Sequence, residues 1–595
     1  MLRFLAFALL VYASLANKAL EQLKAELHKL TPDEAKKRFG DLKPLREAPP
    51  RQKKIEHFVV LYMENHAFDN FFGCMDLPGA DGIPKSGRLI PKDPEDPSQG
   101  YVNVTCGTSY GYVCPGGPGY DTFAGKFKNS ADAHAYPYGP QDDKYSHQHG
   151  ADGIAIEMFS PEQLPVKKAI AENFGIFNKL YTAVPSASTP NHLFTQSATS
   201  CGIHDNIMYS ECGGKTDTFP QFTIYDSLKL NGVDFAFYMN STCGVQTAPC
   251  HGVNPHTPDA GSPIPSPDVA MAGVARHKDR FLSQELFYAA AANGTLPQFS
   301  WLMPPFQACD HPCYDVAKGE RLLKDTYEAL RAGPGWNNTL FFVVYDDAGG
   351  YYDQIVPPSE GVPNDEAPCH VRDQCASSFA KFDFRRLGLR TSAMLISPWV
   401  ARGTVFQEPK KGPYNTSQFE LTSVPATVKN LFNLSGFLTK RDAWAGSFDE
   451  LLLDAPRSDA PMHLPDAPAP AKPWDPPPGG IFGRKGDDAD FFDLAENDDG
   501  EDEMPLEDDD GVDDGDRRRL GEKVKLGNPP QHCGQKEKIC RGPEAVSVKQ
   551  RRNIKLFSRL TEKAEPNVDE MTNDEADRWL SECWEDWMAL GGPIT

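Results

Sequence analysis

Three short stretches of the chain place a carboxylate or a hydroxyl where an apolar run stops. In FVVLYMENHAFDNFFG, residues 58–73, a β-type run ends at Met63 and delivers Glu64 and Asn65. In LFFVVYDDAGGYYDQIVPP, residues 340–358, an apolar run ends in Asp346 and Asp347 ahead of a Gly-Gly turn. In VPSASTPNHLFTQSATS, residues 184–200, Ser188 stands just before Pro190. Oxygen-rich side chains of this kind hold a divalent cation, and a serine hydroxyl, a poor nucleophile at its own pKa, is activated beside one. Pro190 suits a first helical position with Thr189 as its cap. That predicts Ser188 just ahead of a helix start, whose free N–H groups attract phosphate. His192 and His311 are candidates for phosphate contact or proton transfer, because imidazole changes charge near neutral pH. His147 and His149, spaced like strand neighbours, are two metal-ligand candidates without a third.

These side chains need a scaffold that brings them together. Unbroken apolar runs of this length fit strands buried on both faces, as in a parallel sheet covered by helices. Strands are predicted at 58–63, 340–345 and 393–396, with a helix over 319–332. Open α/β sheets bind ligands beyond the carboxyl ends of their strands, so Glu64, Asn65, Asp346 and Asp347 are expected at one rim.

With these motifs in order along the chain, it resembles the phosphoesterase family that contains bacterial phosphatidylcholine-preferring phospholipases C and acid phosphatases. It is most similar to the plant non-specific phospholipases C. The similarity runs from about 55 to about 465 and includes DHPCYD at 310–315, LGLRTSAMLISPWVARGTV at 387–405 and NLFNLSGFLTKRDAWAGSF at 430–448. The resemblance implies an alkaline-phosphatase-like α/β fold, a mostly parallel sheet sandwiched by helices with long insertions. It puts Glu64, Asn65, Asp346 and Asp347 on the metal-binding positions, Ser188 on the nucleophile and Asn191 on a substrate-contacting asparagine. The implied activity is metal-assisted, phospholipase C-like hydrolysis of phosphoric ester bonds through a phosphorylated serine, on a phospholipid headgroup or small phosphoester. A phosphomonoesterase and a non-catalytic relative that binds phosphorylated ligands are the alternatives.

The chain also departs from the family pattern. The usual ENRSFD is Glu64-Asn65-His66-Ala67-Phe68-Asp69, and PNR is Pro190-Asn191-His192. The plant-type DEHGGFYDH becomes residues 346–354 with Ala348 and Gln354 in place of histidines, and DHPSHD has Tyr314 in place of another. Tyr120 is a looser match to a further family histidine. Metal ligands and nucleophile are kept, while much of the acid/base equipment is replaced.

A chain of 595 residues has room for one large core plus appendages. Of its net charge of −23, residues 487–516 supply 17 acidic side chains and no basic one, leaving −6 for the rest. A mildly acidic body without a basic stripe argues against nucleic acid as a partner. The opening MLRFLAFALLVYASLA, residues 1–16, has a basic Arg3, a short apolar core and small residues near its end, a secretory signal pattern too short to span a membrane comfortably. Export fits the 14 cysteines, among which Cys106 with Cys114, Cys201 with Cys212 and Cys243 with Cys250 are close enough in sequence to close local loops. It also fits the sequons at Asn103, Asn240, Asn293, Asn337, Asn415 and Asn433.

A helical arm is expected over 17–54, with Thr31, Pro32 and Glu34 forming a capping-box start. The catalytic region follows over 55–455, with residues 78–150 as a long Gly- and Pro-rich excursion. Residues 456–530, Pro-rich and then acidic, are expected to be an extended, disordered linker. A helical segment over 531–595 carries Trp579, Cys583 and Trp587 at four-residue spacing beside Trp584; without the basic face of an interfacial helix it is expected to pack on the body or form a disulfide-tethered cap, with peripheral membrane contact as the alternative.

Overall fold

The protein was analysed as a computed structural model, which describes residues 18, 20–39, 54–91, 98, 100–107, 156, 158–204, 208–239, 267–304, 308–311, 315–371 and 382–470. Tyr120, His147, His149, Tyr314, the leader, the acidic run and the tryptophan helix fall outside these residues.

Eight strands form the central sheet. In chain order they are β1 (His57–Met63), β2 (Gly175–Phe177), β3 (Phe235–Met239), β4 (Phe281–Ser283), β5 (Phe299–Leu302), β6 (Thr339–Tyr345), β7 (Ala393–Ile396) and β8 (Thr404–Phe406). Their spatial order is β8-β2-β7-β6-β1-β5-β3-β4. All pairings are parallel except those of β7, which runs antiparallel to both β6 and β2. Alternate residues of a strand face opposite sides, so a strand apolar at every position must be covered twice. In β1, Phe58, Val60 and Tyr62 enter one core, while Val59, Leu61 and Met63 enter the other. In β6, Leu340, Phe342 and Val344 join the first core, with Phe341, Val343 and Tyr345 in the second.

Helices close both faces. Leu193 and Phe194 of the helix Ser188–Ser197, and Val424, Val428 and Leu431 of Ser423–Leu431, cover the first. Phe71, Ile170, and Leu323 with Tyr327 cover the second, from the helices Phe68–Phe72, Pro165–Asn173 and Val316–Ala332. The sheet between helices that the sequence predicted is therefore the architecture of the molecule.

The helical arm docks on the body. Its second helix, Pro32–Phe39, starts with the expected reciprocal cap: the Thr31 N–H donates to Glu34 Oε2 at 2.8 Å, and the Glu34 N–H donates to Thr31 Oγ1 at 3.3 Å. Ahead of it, Leu20 and Leu27 are buried in the first core, and His28 Nε2 accepts the Phe222 N–H at 3.1 Å.

Two expectations are corrected here. The extended linker does not begin at 456, because residues 456–470 lie along the body: Ala460 and Leu464 are buried in the second core, Arg457 Nε donates to the Val400 carbonyl at 2.8 Å, and Lys324 Nζ donates to the Leu464 carbonyl at 2.7 Å. The proline content keeps this stretch out of helices and sheets, yet its carbonyls and small apolar side chains still pack. Among the described residues, Cys106 and Cys201 do not close the short local loops with Cys114 and Cys212 either. Cys74 bonds Cys106, and Cys201 bonds Cys369 across 168 residues of sequence. Folding brings remote segments together in a way that sequence proximity cannot anticipate. Cys243 and Cys250 lie outside the described residues.

Candidate active site

Strands β1 and β6 are parallel neighbours in register, with Met63 opposite Tyr345. One further ladder bond, from the Asp346 N–H to the Met63 carbonyl at 3.1 Å, carries the pairing to the point where both chains leave the sheet. Glu64-Asn65 and Asp346-Asp347 consequently emerge side by side. Asn65 sits in the left-handed region, at φ 62°, which asparagine tolerates better than most residues, and its N–H donates to Asp346 Oδ1 at 2.9 Å. The Gly-Gly turn has a steric reason: a Cβ on Gly349 would stand 2.1 Å from the Asn65 carbonyl oxygen. Only glycine allows the two strand ends to close on each other.

Ser188 arrives from a separate helix. The structure starts that helix at Ser188, with Ala187 as a cap that makes no side-chain bond, rather than at Pro190 with Thr189 as the cap. Proline is acceptable anywhere in the first turn, where N–H groups lack helical partners, so Pro190 marks the turn but not the residue that opens it. The Ser188 hydroxyl lies 3.0 Å from Asp347 Oδ2, 3.2 Å from Asn65 Oδ1 and 3.5 Å from Glu64 Oε2. Glu64 is 2% exposed and Asp346 and Asp347 not at all, so three carboxylates face one another with little water between them. Burial first, then the charges of Asp347 and Glu64, push the Asp346 carboxyl well above the usual carboxylate range.

A divalent cation fits this donor set. Asn65 turns its amide oxygen toward the carboxylates and Ser188, and its nitrogen lies 3.0 Å from His311 Nε2. Reversed, the amide would donate to Asp346 Oδ1 at 3.0 Å and to Asp347 Oδ2 at 3.1 Å. The two orientations differ only in which end of the amide meets the carboxylates; it is the three buried carboxylates at one point that call for a positive charge among them. Glu64, Asp346 and His192 each offer a ligand atom, all within 4.8 Å of one another.

Asn191 and His192 are placed differently from expectation. Asn191, expected to contact substrate, is fully buried; its nitrogen donates to the carbonyls of Val184, Ser186 and Ala187, and its oxygen accepts the Val184 N–H. Its hydrogen-bonding capacity is spent on the loop that presents Ser188, so it is a positioning residue. His192, also expected at the substrate, is 1% exposed and turned inward, with Nε2 3.3 Å from Glu64 Oε1 and 3.5 Å from Asp346 Oδ2. Ser188, His192 and Gln196 recur every four residues and so share one helix face. His311 adjoins the site, with its Nε2 3.0 Å from the Asn65 side-chain amide.

Several residues at the site carried no signal in the sequence. Asp268, in the short helix Pro267–Ala270, lies 3.2 Å from His192 Nδ1 and accepts from Gln196 Nε2 as well. Burial alone would lower the His192 pKa, but Asp268, Asp346 and Glu64 together raise it well above its ordinary value. Below the loop that carries His311, Lys167 pairs with Asp310 at 3.0 Å and Glu320 at 3.2 Å, all fully buried. Asp69 and Asp353, the trailing aspartates of the two strand motifs, meet on Arg390 at 3.0 and 2.8 Å. Their parallel positions after each strand were the available clue.

The Phosphoesterase family model matches residues 55–435. Non-specific phospholipase C1 of Arabidopsis thaliana is 34% identical over 439 residues, which cover 71% of this chain and 76% of that protein. Phospholipase C B of Mycobacterium tuberculosis is 25% identical over 377 residues, 59% of this chain and 70% of its own. A solved structure from the alkaline phosphatase superfamily of Vibrio parahaemolyticus aligns with 70% of this chain and 75% of its own at 11% identity, but its TM-score of 0.29 is too low to carry weight. With the family model spanning most of the chain and the strand ends, helix start and turn of its motifs in one place, the chain belongs to the phosphoesterase family.

Proposed function

We propose that the protein is a metal-assisted phosphoric ester hydrolase of phospholipase C type that works through a phosphorylated Ser188. The observation that carries this reading is the Ser188 hydroxyl, 3.0 to 3.5 Å from Asp347, Asn65 and Glu64, side chains delivered by two adjacent strand ends. A divalent cation bound by Glu64, Asn65, Asp346 and Asp347 supplies Lewis acidity, neutralising phosphate oxygens and lowering the proton affinity of the hydroxyl. The first-turn N–H groups beside Ser188 favour the same anionic oxygens. Ser188 Oγ attacks phosphorus and passes its proton to Asp347; the Oγ–P bond forms as the bond to the leaving oxygen breaks, and His311 protonates that oxygen. Water then attacks phosphorus, Oγ departs and regains the proton from Asp347, and the water's own proton returns to His311. Fixed charge around the phosphoryl group is where most of the acceleration in such transfers arises.

The substrate class follows from the relatives named phospholipases C: an ester at a phospholipid headgroup, with soluble phosphomonoesters as the second reading. Where the plant-type pattern has histidines, Ala348 is buried beside Ala67, Tyr351 and Leu389, and Gln354 bonds Asp69 and the Asp81 carbonyl. Neither donates a proton to a leaving group. A general acid contributes about 10²- to 10⁴-fold, most where the leaving group is poor. With His311 left to protonate the leaving oxygen without the histidines replaced by Ala348 and Gln354, the protein should favour aryl phosphoesters over phosphatidylcholine more strongly than a plant-type enzyme with the full histidine set. Export is supported by the two disulfides and by Asn103, Asn293, Asn337, Asn415 and Asn433, the sequon asparagines among the described residues, all of which are exposed. Among the described residues no helix is long and apolar enough to cross a membrane.

The test is turnover of an aryl phosphodiester, an aryl phosphomonoester and phosphatidylcholine vesicles by the full chain with Mg²⁺, Ca²⁺, Mn²⁺ or Zn²⁺. Metal-dependent cleavage, abolished in Ser188→Ala and Glu64→Gln, is expected. Equal rates in Ser188→Ala would contradict the reading.

A further inference from the structure

His192 is where this chain departs from the family's PNR, and the structure puts the replacement to a specific use. Asp268 can only accept a hydrogen bond when ionised, so the 3.2 Å contact puts the proton of the neutral ring on Nδ1. Nε2 then presents its lone pair inward, 3.3 Å from Glu64 Oε1 and 3.5 Å from Asp346 Oδ2. Either a proton on Nε2 or a bound cation must lie between that nitrogen and the two carboxylate oxygens, and a bound cation takes the proton's place among the same three atoms. These separations suit ligand atoms that share an ion, since donors about 2.0–2.2 Å from one metal lie roughly 3 Å or slightly more from each other.

Three features fix the ring in that orientation. His192 stands one helical turn after Ser188, so the helix that carries the hydroxyl also carries the imidazole. Tyr62 packs edge-on against the ring, with centroids 4.7 Å apart. Gln196, one further turn on, donates to the same Asp268 oxygen that His192 uses, holding the carboxylate in place. A carboxylate behind an inward-facing imidazole is the arrangement that fixes the tautomer and orientation of metal-bound histidines and raises their basicity.

We propose that His192, oriented by Asp268, is a metal ligand of this chain, so that the site binds Zn²⁺ or another imidazole-preferring ion in preference to Mg²⁺ or Ca²⁺. Oxygen donors alone suit Mg²⁺, Ca²⁺ and Mn²⁺, whereas an imidazole in the set shifts selectivity toward Zn²⁺ and its neighbours in the transition series. The proposal rests on the cation site of the preceding section and adds the ligand that decides which ion occupies it.

The test uses one equivalent of Mn²⁺ bound to the metal-stripped full chain, with pulsed electron paramagnetic resonance to detect coupling to an imidazole nitrogen. The expected result is coupling in the native protein that persists in His311→Gln and disappears in His192→Gln, which still binds Mn²⁺ through its carboxylates. Zn²⁺ should displace the Mn²⁺ at far lower concentration than Ca²⁺ or Mg²⁺, and that preference should narrow more than tenfold in His192→Gln. Asp268→Asn should weaken Zn²⁺ binding by about 10- to 100-fold while leaving Mg²⁺ binding nearly unchanged. Tight Mn²⁺ binding without nitrogen coupling in the native protein overturns the inference and leaves the hydrolase reading standing; because it needs no variant, misfolding cannot obscure it. Coupling lost in His311→Gln instead also overturns it. If Glu64→Gln leaves Mn²⁺ binding unchanged, the cation site is elsewhere, and the hydrolase mechanism falls together with the inference.

Discussion

Arg390 shows how single residues hold the site in shape. Its guanidinium is fully buried, bonds Asp353 and Asp69, donates to Asn178 and the Asp81 carbonyl, and lies over the Phe68 ring at 4.2 Å. The two aspartates follow the strand-end motifs, so Arg390 pins the chain just beyond both sets of proposed ligands. Burial first and then Asp353 push the Asp69 pKa up to about 7, against the pull of Arg390. Removing the cation leaves two buried carboxylates facing each other. Arg390→Met should cost about 3–5 kcal/mol in denaturant unfolding, the penalty for breaking a buried ion pair from one side; a loss below about 1 kcal/mol would show that the cluster is not structural. Gly349→Ala should abolish turnover as well, because its methyl group would displace the Asn65 backbone. At this scale the sequence was informative where a residue type sat next to a strand end. It was silent on Asp268, which is 76 residues from His192 and meets it only through tertiary packing. Asn191, expected at the substrate from the family resemblance, and His192, expected there because imidazole titrates near neutral pH, both have side-chain atoms turned inward.

Among the elements, β1 and β6 were legible because a run apolar at every position admits few placements, whereas the reversed direction of β7 leaves no trace in Ala393–Ile396. The helix at Ser188 was legible as a helix, not in its first residue. The arm over 20–39 carries a pH dependence of its own. Burial, reinforced by Lys24 and Arg276 and opposed by Asp226, lowers the His28 pKa from 6.5 to about 4. The ring docks as a neutral acceptor for the Phe222 N–H, a role that protonation removes. Since the docked value lies below the free one, the undocked arm takes up the proton first. Docking is therefore at full strength above about pH 6.5 and weakens as pH falls toward 4, by up to roughly 3 kcal/mol. Hydrogen exchange in helix 20–27 should accelerate between about pH 7 and about pH 5 after correction for intrinsic rates, and His28→Gln should remove most of that change. Exchange that keeps its full pH response in the variant would assign the effect to another group.

For the whole molecule, the parallel sheet with its ligands at one rim follows from where apolar runs stop, while the paths of the disulfides and of residues 456–470 depend on packing that composition does not encode. Those residues close over the second core through Ala460 and Leu464, with Arg457 bonded to Val400. A chain ending at 455 should unfold with at least about 2 kcal/mol less stability than one ending at 470, from the loss of that apolar burial alone. Equal midpoints would mean that the contacts contribute nothing. The proposed hydrolysis depends on one covalent event at the junction of two strands and a helix. The most direct measurement is rapid acid quench of the full chain during turnover of an aryl phosphoester with Zn²⁺ or Mn²⁺, followed by peptide mass spectrometry. The account predicts transient phosphate on Ser188 that forms and decays within the catalytic cycle; phosphate on another residue, or sustained turnover by Ser188→Ala, would contradict it.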